Sequence, residues 1–151
     1  MKTQGITADY IKNLRKMGYN NMSPWDLITT KTQNITADYI KSFKDIGYTN
    51  ISLQDVIPLK SLGVTSQYIR NFQDIGFKDM TLWDAVTMKS QNITADLIQQ
   101  YKKLGFANVS LQDVISAKAT GATPSFISSM KEKGYNLKSI QKYIQLKMVV
   151  E

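Results

Sequence analysis

The 29-residue stretch from Gly5 to Gln33, GITADYIKNLRKMGYNNMSPWDLITTKTQ, recurs without a gap to the end of the chain. Five copies follow one another, at 5–33, 34–62, 63–91, 92–120 and 121–151. Thr7 returns as Thr36, Thr65, Thr94 and Thr123, and Gly18 as Gly47, Gly76, Gly105 and Gly134, so the register never slips. A fixed period of this length means that each copy is one supersecondary unit, too small to bury its own apolar face, that completes its core against its neighbours. The repeat therefore predicts an all-α fold: an α-solenoid of five helical hairpins, about ten short helices, in a single domain spanning 1–151.

The first copy carries the signals for two helices. Thr7 offers its hydroxyl to the free N–H groups of a starting helix, and Asp9 lies in the first turn, where the helix dipole favours negative charge. Ile6 and Ile11 are spaced as a hydrophobic staple, and Tyr10, Ile11, Leu14 and Met17 form a stripe at three- and four-residue intervals. Helix A is thus expected from Ala8 to Met17, ended by Gly18 in a left-handed conformation, with Tyr19 folding back over the last turn. Helix B follows: Ser23 as its cap, Pro24 at its first position and Asp26 closing a capping box. Met22 and Leu27 repeat the staple, Leu27 and Ile28 are expected to face inward, and the helix should stop near Thr32. The residue after each such helix, Asn34, Gly63, Asn92 or Gly121, is of a type that tolerates a left-handed backbone.

Comparison of the copies separates inside from outside. The position of Ile11 keeps Ile40, Ile69, Ile98 and Ile127, and that of Ile28 keeps Ile57, Val86, Ile115 and Ile144, so both are expected in the core. The position of Leu14 is large throughout: Phe43, Phe72, Tyr101 and Met130. Lys133 and Lys138 replace apolar residues in the last copy, which reads as a polar C-terminal cap. Lys2, Thr3 and Gln4 match Lys31, Thr32 and Gln33, as though the chain opened in the tail of a further copy; whether it is a fragment of a longer array is left open.

Catalytic chemistry finds little to work with. The chain has neither histidine nor cysteine, which excludes histidine-based triads, thiol nucleophiles and nitrogen or sulfur metal sites. Seven of the twelve acids, Asp9, Asp26, Asp38, Asp55, Asp84, Asp96 and Asp113, fall in first turns, where capping accounts for them. The glycines are isolated and form no phosphate loop. The reading is therefore of a protein that is not an enzyme, with no catalytic residue, no cofactor and no metal. No apolar run approaches the length of a membrane span, and no leader is visible at Met1 to Gln4.

Two features invite a partner. Trp25 and Trp83 hold a position that Gln54, Gln112 and Gln141 fill elsewhere, which marks a surface position; the indoles either lie over a neighbouring helix end or anchor a partner. Lys31, Lys60, Lys89, Lys118 and Lys147 recur at one helix end, either to complement its dipole or to form an anion-binding stripe. A formal charge of +7 suits an acidic partner without naming one.

These copies, with Gly5-Ile6-Thr7-Ala8-Asp9-Tyr10-Ile11, then Met17-Gly18-Tyr19, then Ser23 to Lys31, resemble the bacterial repeats of the form GVTPEYIRELRALGY followed by LS-x-D-x-L-I-x-L. Such repeats occur in uncharacterised bacterial proteins and beyond the membrane region of sensor metallopeptidases related to the beta-lactam receptor. Asn34, Asn92 and Ala8 depart from that pattern, which usually has Gly, Gly and Pro there. The resemblance implies a two-helix repeat array in a bacterial cytoplasm or periplasm, and implies no catalytic residue. The Gly18 to Met22 link has one glycine where a DNA-binding helix-hairpin-helix has two flanking an apolar residue. The expected function is a noncatalytic scaffold binding a protein or peptide through Trp25 and Trp83. The alternative is nucleic acid or another polyanion on Lys31, Lys60, Lys89 and Lys118. Oligomeric state is left open.

Overall fold

A computed structural model of the chain describes residues 5–150. The partial copy at Lys2 to Gln4 lies outside the described residues. Among the described residues there are ten α-helices and no strand. The A helices are α1 (Ala8–Lys16), α3 (Ala37–Lys44), α5 (Ser66–Asp74), α7 (Ala95–Lys103) and α9 (Pro124–Glu132); the B helices are α2 (Pro24–Thr32), α4 (Leu53–Ser61), α6 (Leu82–Ser90), α8 (Leu111–Thr120) and α10 (Ile140–Val149). Both sets start at 29-residue intervals, so the protein is an all-α tandem helical-repeat fold. None of these helices is long and apolar enough to cross a membrane. The chain forms two compact units, one reaching Asp74 and including Lys78–Val86, the other made of Ile75–Phe77 and everything from Thr87 onward. The division runs through the third copy.

Local chemistry sets the helix ends. Thr7, Thr36, Thr94 and Thr123 each accept a backbone N–H from three residues on. Ser23, Ser52 and Ser110 form capping boxes with Asp26, Asp55 and Asp113. All seven first-turn aspartates lie where the sequence puts them. At the other end, Gly18 N–H donates to the Arg15 carbonyl and Tyr19 N–H to that of Leu14, the paired bonds of a Schellman turn, and the pattern recurs at Gly47, Gly105 and Gly134. Asn34 and Asn92, each at φ 54°, take the left-handed conformation that Gly63 and Gly121 take.

In the first unit Ile40, Ile69, Phe43 and Phe72 are fully buried, and α2 packs on α4, the next B helix. In the second, Ile98, Ile127 and Tyr101 are fully buried and α8 packs on α10. Ile11, in the first copy, is only half-buried.

One assignment needs correcting. Ile144 is buried as expected, but Ile28, Ile57, Val86 and Ile115 are only half-buried, and in those copies the B-helix core lies instead at Val56, Ala85 and Val114, and at Thr30, Leu59, Met88 and Ala117. Positions three apart share a helix face, and Ile28 sits about 100° round from Leu27, at the rim of that face. Thr30 is buried at no cost to its hydroxyl, which donates to the Asp26 carbonyl at 2.8 Å. Tyr19 is a second correction: its side chain reaches forward, donating to the Ile51 carbonyl in the next copy, rather than back over its own helix.

Such forward and backward reaches tie copy to copy. Tyr10 donates to the Ile35 carbonyl and Tyr39 to that of Val64. In the other direction, Lys44 donates to the Met17 carbonyl, Gln73 to Ile46, Lys102 to Ile75 and Lys131 to Leu104. These four residues share one position in the repeat, and each satisfies a carbonyl at the C-terminal end of the preceding A helix. Lys102 and Lys131 also lie over the rings of Phe77 and Phe106, at 5.4 and 5.3 Å.

Candidate partner-binding surface

The B-helix starts hold the tryptophans. Thr81 N–H and its hydroxyl both donate to Asp84 Oδ2 at 2.8 Å, and Asp84 N–H donates back to the Thr81 hydroxyl. The box fixes the first turn of α6 with Trp83 between its two members, on the side facing solvent. Trp83 is 70% exposed and Trp25, placed the same way on α2, 75%. Gln54, Gln112 and Gln141 are exposed at the equivalent position, so glutamine is tolerated where no packing is lost.

Beside this position the surface dips repeatedly. In the first unit an open groove of about 460 Å³ lies between the Tyr48 loop and the start of α6, lined by Tyr48, Asp55, Asp79, Met80, Leu82 and Trp83. One copy earlier a groove of about 340 Å³ has Tyr19, Asp26 and Gln54 on its walls. The second unit repeats it at about 320 Å³, with Phe106, Asp113 and Ile140. The capping aspartate of one copy thus also forms the wall of a groove completed by the next.

The groove carboxylates differ in what they hold. Asp113 Oδ1 accepts Gln141 Nε2 at 2.8 Å, while its Oδ2 accepts Ser110 N–H. Burial pushes the Asp113 carboxyl upward, but the bonds from Gln141 and Ser110 outweigh it and hold the group below its ordinary value of 3.8. Asp55 spends Oδ2 on Ser52 N–H and hydroxyl, at 2.9 and 2.7 Å, and no described residue donates to its Oδ1. Asp26 spends Oδ2 in the same way on Ser23.

The lysines are placed differently from the tryptophans. Lys31 Nζ lies 4.9 Å from the centre of the Tyr10 ring, Lys60 lies 4.6 Å from that of Tyr39, and Lys147 lies 5.1 Å from that of Phe126. Each faces a ring of its own copy while sitting in the last turn of its B helix, so the ammonium meets both a ring face and the dipole. Lys89 is half-buried, and Lys118 is exposed in the copy where Leu97 replaces the aromatic residue. Sequence reasoning missed the ring partners and the position of Lys44, Lys102 and Lys131. A signal was present, because that position holds a long hydrogen-bond donor in every copy, Arg15 and Gln73 included. It also missed the groove-lining role of the aspartates, which their capping role conceals. No group of three acids among the described residues is arranged to hold a metal ion.

Comparison with protein-family models, with curated proteins and with solved structures finds no match.

Proposed function

We propose that the chain is a noncatalytic helical-repeat module, of the bacterial kind its copies resemble, that binds a protein or peptide partner. The observation that carries this reading is the exposure of Trp25 and Trp83 at one repeat position, held outward by fixed capping turns. Indoles are costly to leave in water. Covering one in a well-packed contact contributes about 2 kcal/mol or more, which is why such residues dominate binding energies. The bland account, an indole laid over a neighbouring helix end, would leave it far less exposed. The lysines support the rival polyanion reading less well, since Lys31 and Lys60 are already turned onto tyrosine rings.

Affinity capture from the producing cell tests this, with the native protein and a Trp25→Gln/Trp83→Gln variant as matched baits. Glutamine already stands at this position in three copies, so the variant should fold. A protein retained by the native bait and lost from the variant is expected. Retention of nucleic acid instead, falling steeply with salt and abolished by changing Lys31, Lys60, Lys89 and Lys118 to Gln, would overturn the reading.

A further inference from the structure

The groove at Trp83 has the chemistry of a receptor for one kind of side chain. At the equivalent corner of the second unit, the aspartate's Oδ1 is filled from within the chain by an N–H donor at the Trp/Gln position of the next copy, Gln141. In the groove of Asp55 that position is Trp83, whose only polar group is one indole N–H, and no described residue donates to Asp55 Oδ1. An acceptor is left open beside an exposed indole face. The N–H groups of Ser52, Asp55, Thr81 and Asp84 at the adjoining helix starts are taken up within the two capping boxes, and the box carboxylates stand against the approach of an anion. Asp79 adds a second exposed carboxylate to the rim, and Lys78 one opposing cation. The side-chain charge lining the groove is thus negative, on a chain whose formal charge is +7.

We propose that this groove takes an arginine side chain of a partner peptide, its guanidinium lying over the Trp83 indole and donating to Asp55 Oδ1. The proposal rests on the interaction-module reading above and names the chemistry of the partner. Arginine fits where lysine does not, because a planar guanidinium stacks on a ring while its in-plane N–H groups stay free for a carboxylate. The groove of Asp26 has an open acceptor but Gln54 in place of the indole, and so lacks the stacking half.

The test uses the full chain with Trp25→Gln, so that Trp83 is the sole indole emitter, and the blocked tripeptide Ala-Arg-Ala as probe. A saturable change in emission is expected, with half-saturation on the order of 1 mM for a single anchored side chain. The same peptide with citrulline, neutral and nearly isosteric, should bind at least tenfold more weakly, and with lysine several-fold more weakly. Asp55→Asn should weaken the arginine peptide about tenfold, while Asp26→Asn, which disturbs a like cap, should leave it within twofold. No saturable response up to tens of millimolar, equal binding of citrulline and arginine, or preference for Ala-Glu-Ala would each overturn the proposal. Those results would leave the interaction-module reading standing, because that is judged separately by the capture experiment.

Discussion

Tyr101 stands where other copies have Leu14, Phe43 or Phe72, and Leu97 stands where they have Tyr10 or Tyr39. The exchange moves a hydroxyl by one helical turn, yet it finds the same backbone target, since Tyr101 donates to the Ala122 carbonyl as Tyr10 does to Ile35 and Tyr39 to Val64. What the repeat keeps here is a bond between copies rather than a residue. Burial pushes the Tyr39 and Tyr101 phenols from the ordinary 10.0 up to about 12. A phenol that ionises later in the fold than in the unfolded chain contributes stability that is complete below pH 10.0 and lost as pH rises through about 12. Absorbance titration of tyrosinate should therefore show these groups ionising late and together with loss of helical circular dichroism, and early, independent ionisation would show the bonds absent. Ile69 gives a second residue-scale expectation. It is fully buried, so Ile69→Asn should cost about 3 kcal/mol or more, from the cavity and the unpaired amide together. Gln73 donates to the Ile46 carbonyl, and shortening it to asparagine should cost about 1 kcal/mol. Urea midpoints of the two variants check both figures.

Helix ends were legible in the sequence and helix faces only partly so, because an end is fixed by side chains within four residues whereas a face is chosen by what packs on it. Thr7, Ser23, Gly18 and Asn34 act on their own turns, and each does what its chemistry dictates. Ile28 was misread because a residue type kept in every copy marks either a core or its rim, and only the neighbouring helix decides which. The groove corners were illegible for a related reason: Asp55 and Trp83 come to line one groove through packing of one copy on the next, over a separation no local pattern reports. The same holds for the bracket formed by Lys102 and Lys131, whose targets Ile75 and Leu104 lie 27 residues back. The Lys131 bond joins the end of α9 to the residue that follows α7. Lys131→Met keeps the stem over Phe106 and removes the donor, so it should cost about 1 kcal/mol, less than a buried charged bond because the ammonium is partly solvated. Lys103→Met, at an exposed position, should stay within about 0.5 kcal/mol. Equal urea midpoints would remove the bracket from the list of interactions holding copies together.

A chain built by translation of one unit has a stability that is a sum over copies and the contacts between adjacent ones. The ties described above join positions in one copy to set carbonyls in an adjacent one, so the phase of the repeat decides whether the fold forms, while each copy adds its share of stability. Removing 34–62, one whole period from the first unit, keeps that phase. Val64 then stands where Ile35 stood for the Tyr10 hydroxyl, Gln73 faces the Met17 carbonyl in place of Lys44, and Met80 offers its carbonyl to Tyr19 in place of Ile51. The shortened chain should fold with unchanged helical content per residue and melt cooperatively at a lower temperature. Its urea m-value should fall by about a fifth, following the surface lost with one copy of five. Removing 34–48 instead takes half a period and sets an A helix's partner positions against a B helix, so the apolar stripes no longer face one another. That chain should lose cooperative melting although it keeps more of the sequence. If the two deletions melted alike, the copies would be associating through unspecific apolar contact, and the register of tyrosine, lysine and glutamine ties would not be what orders the fold.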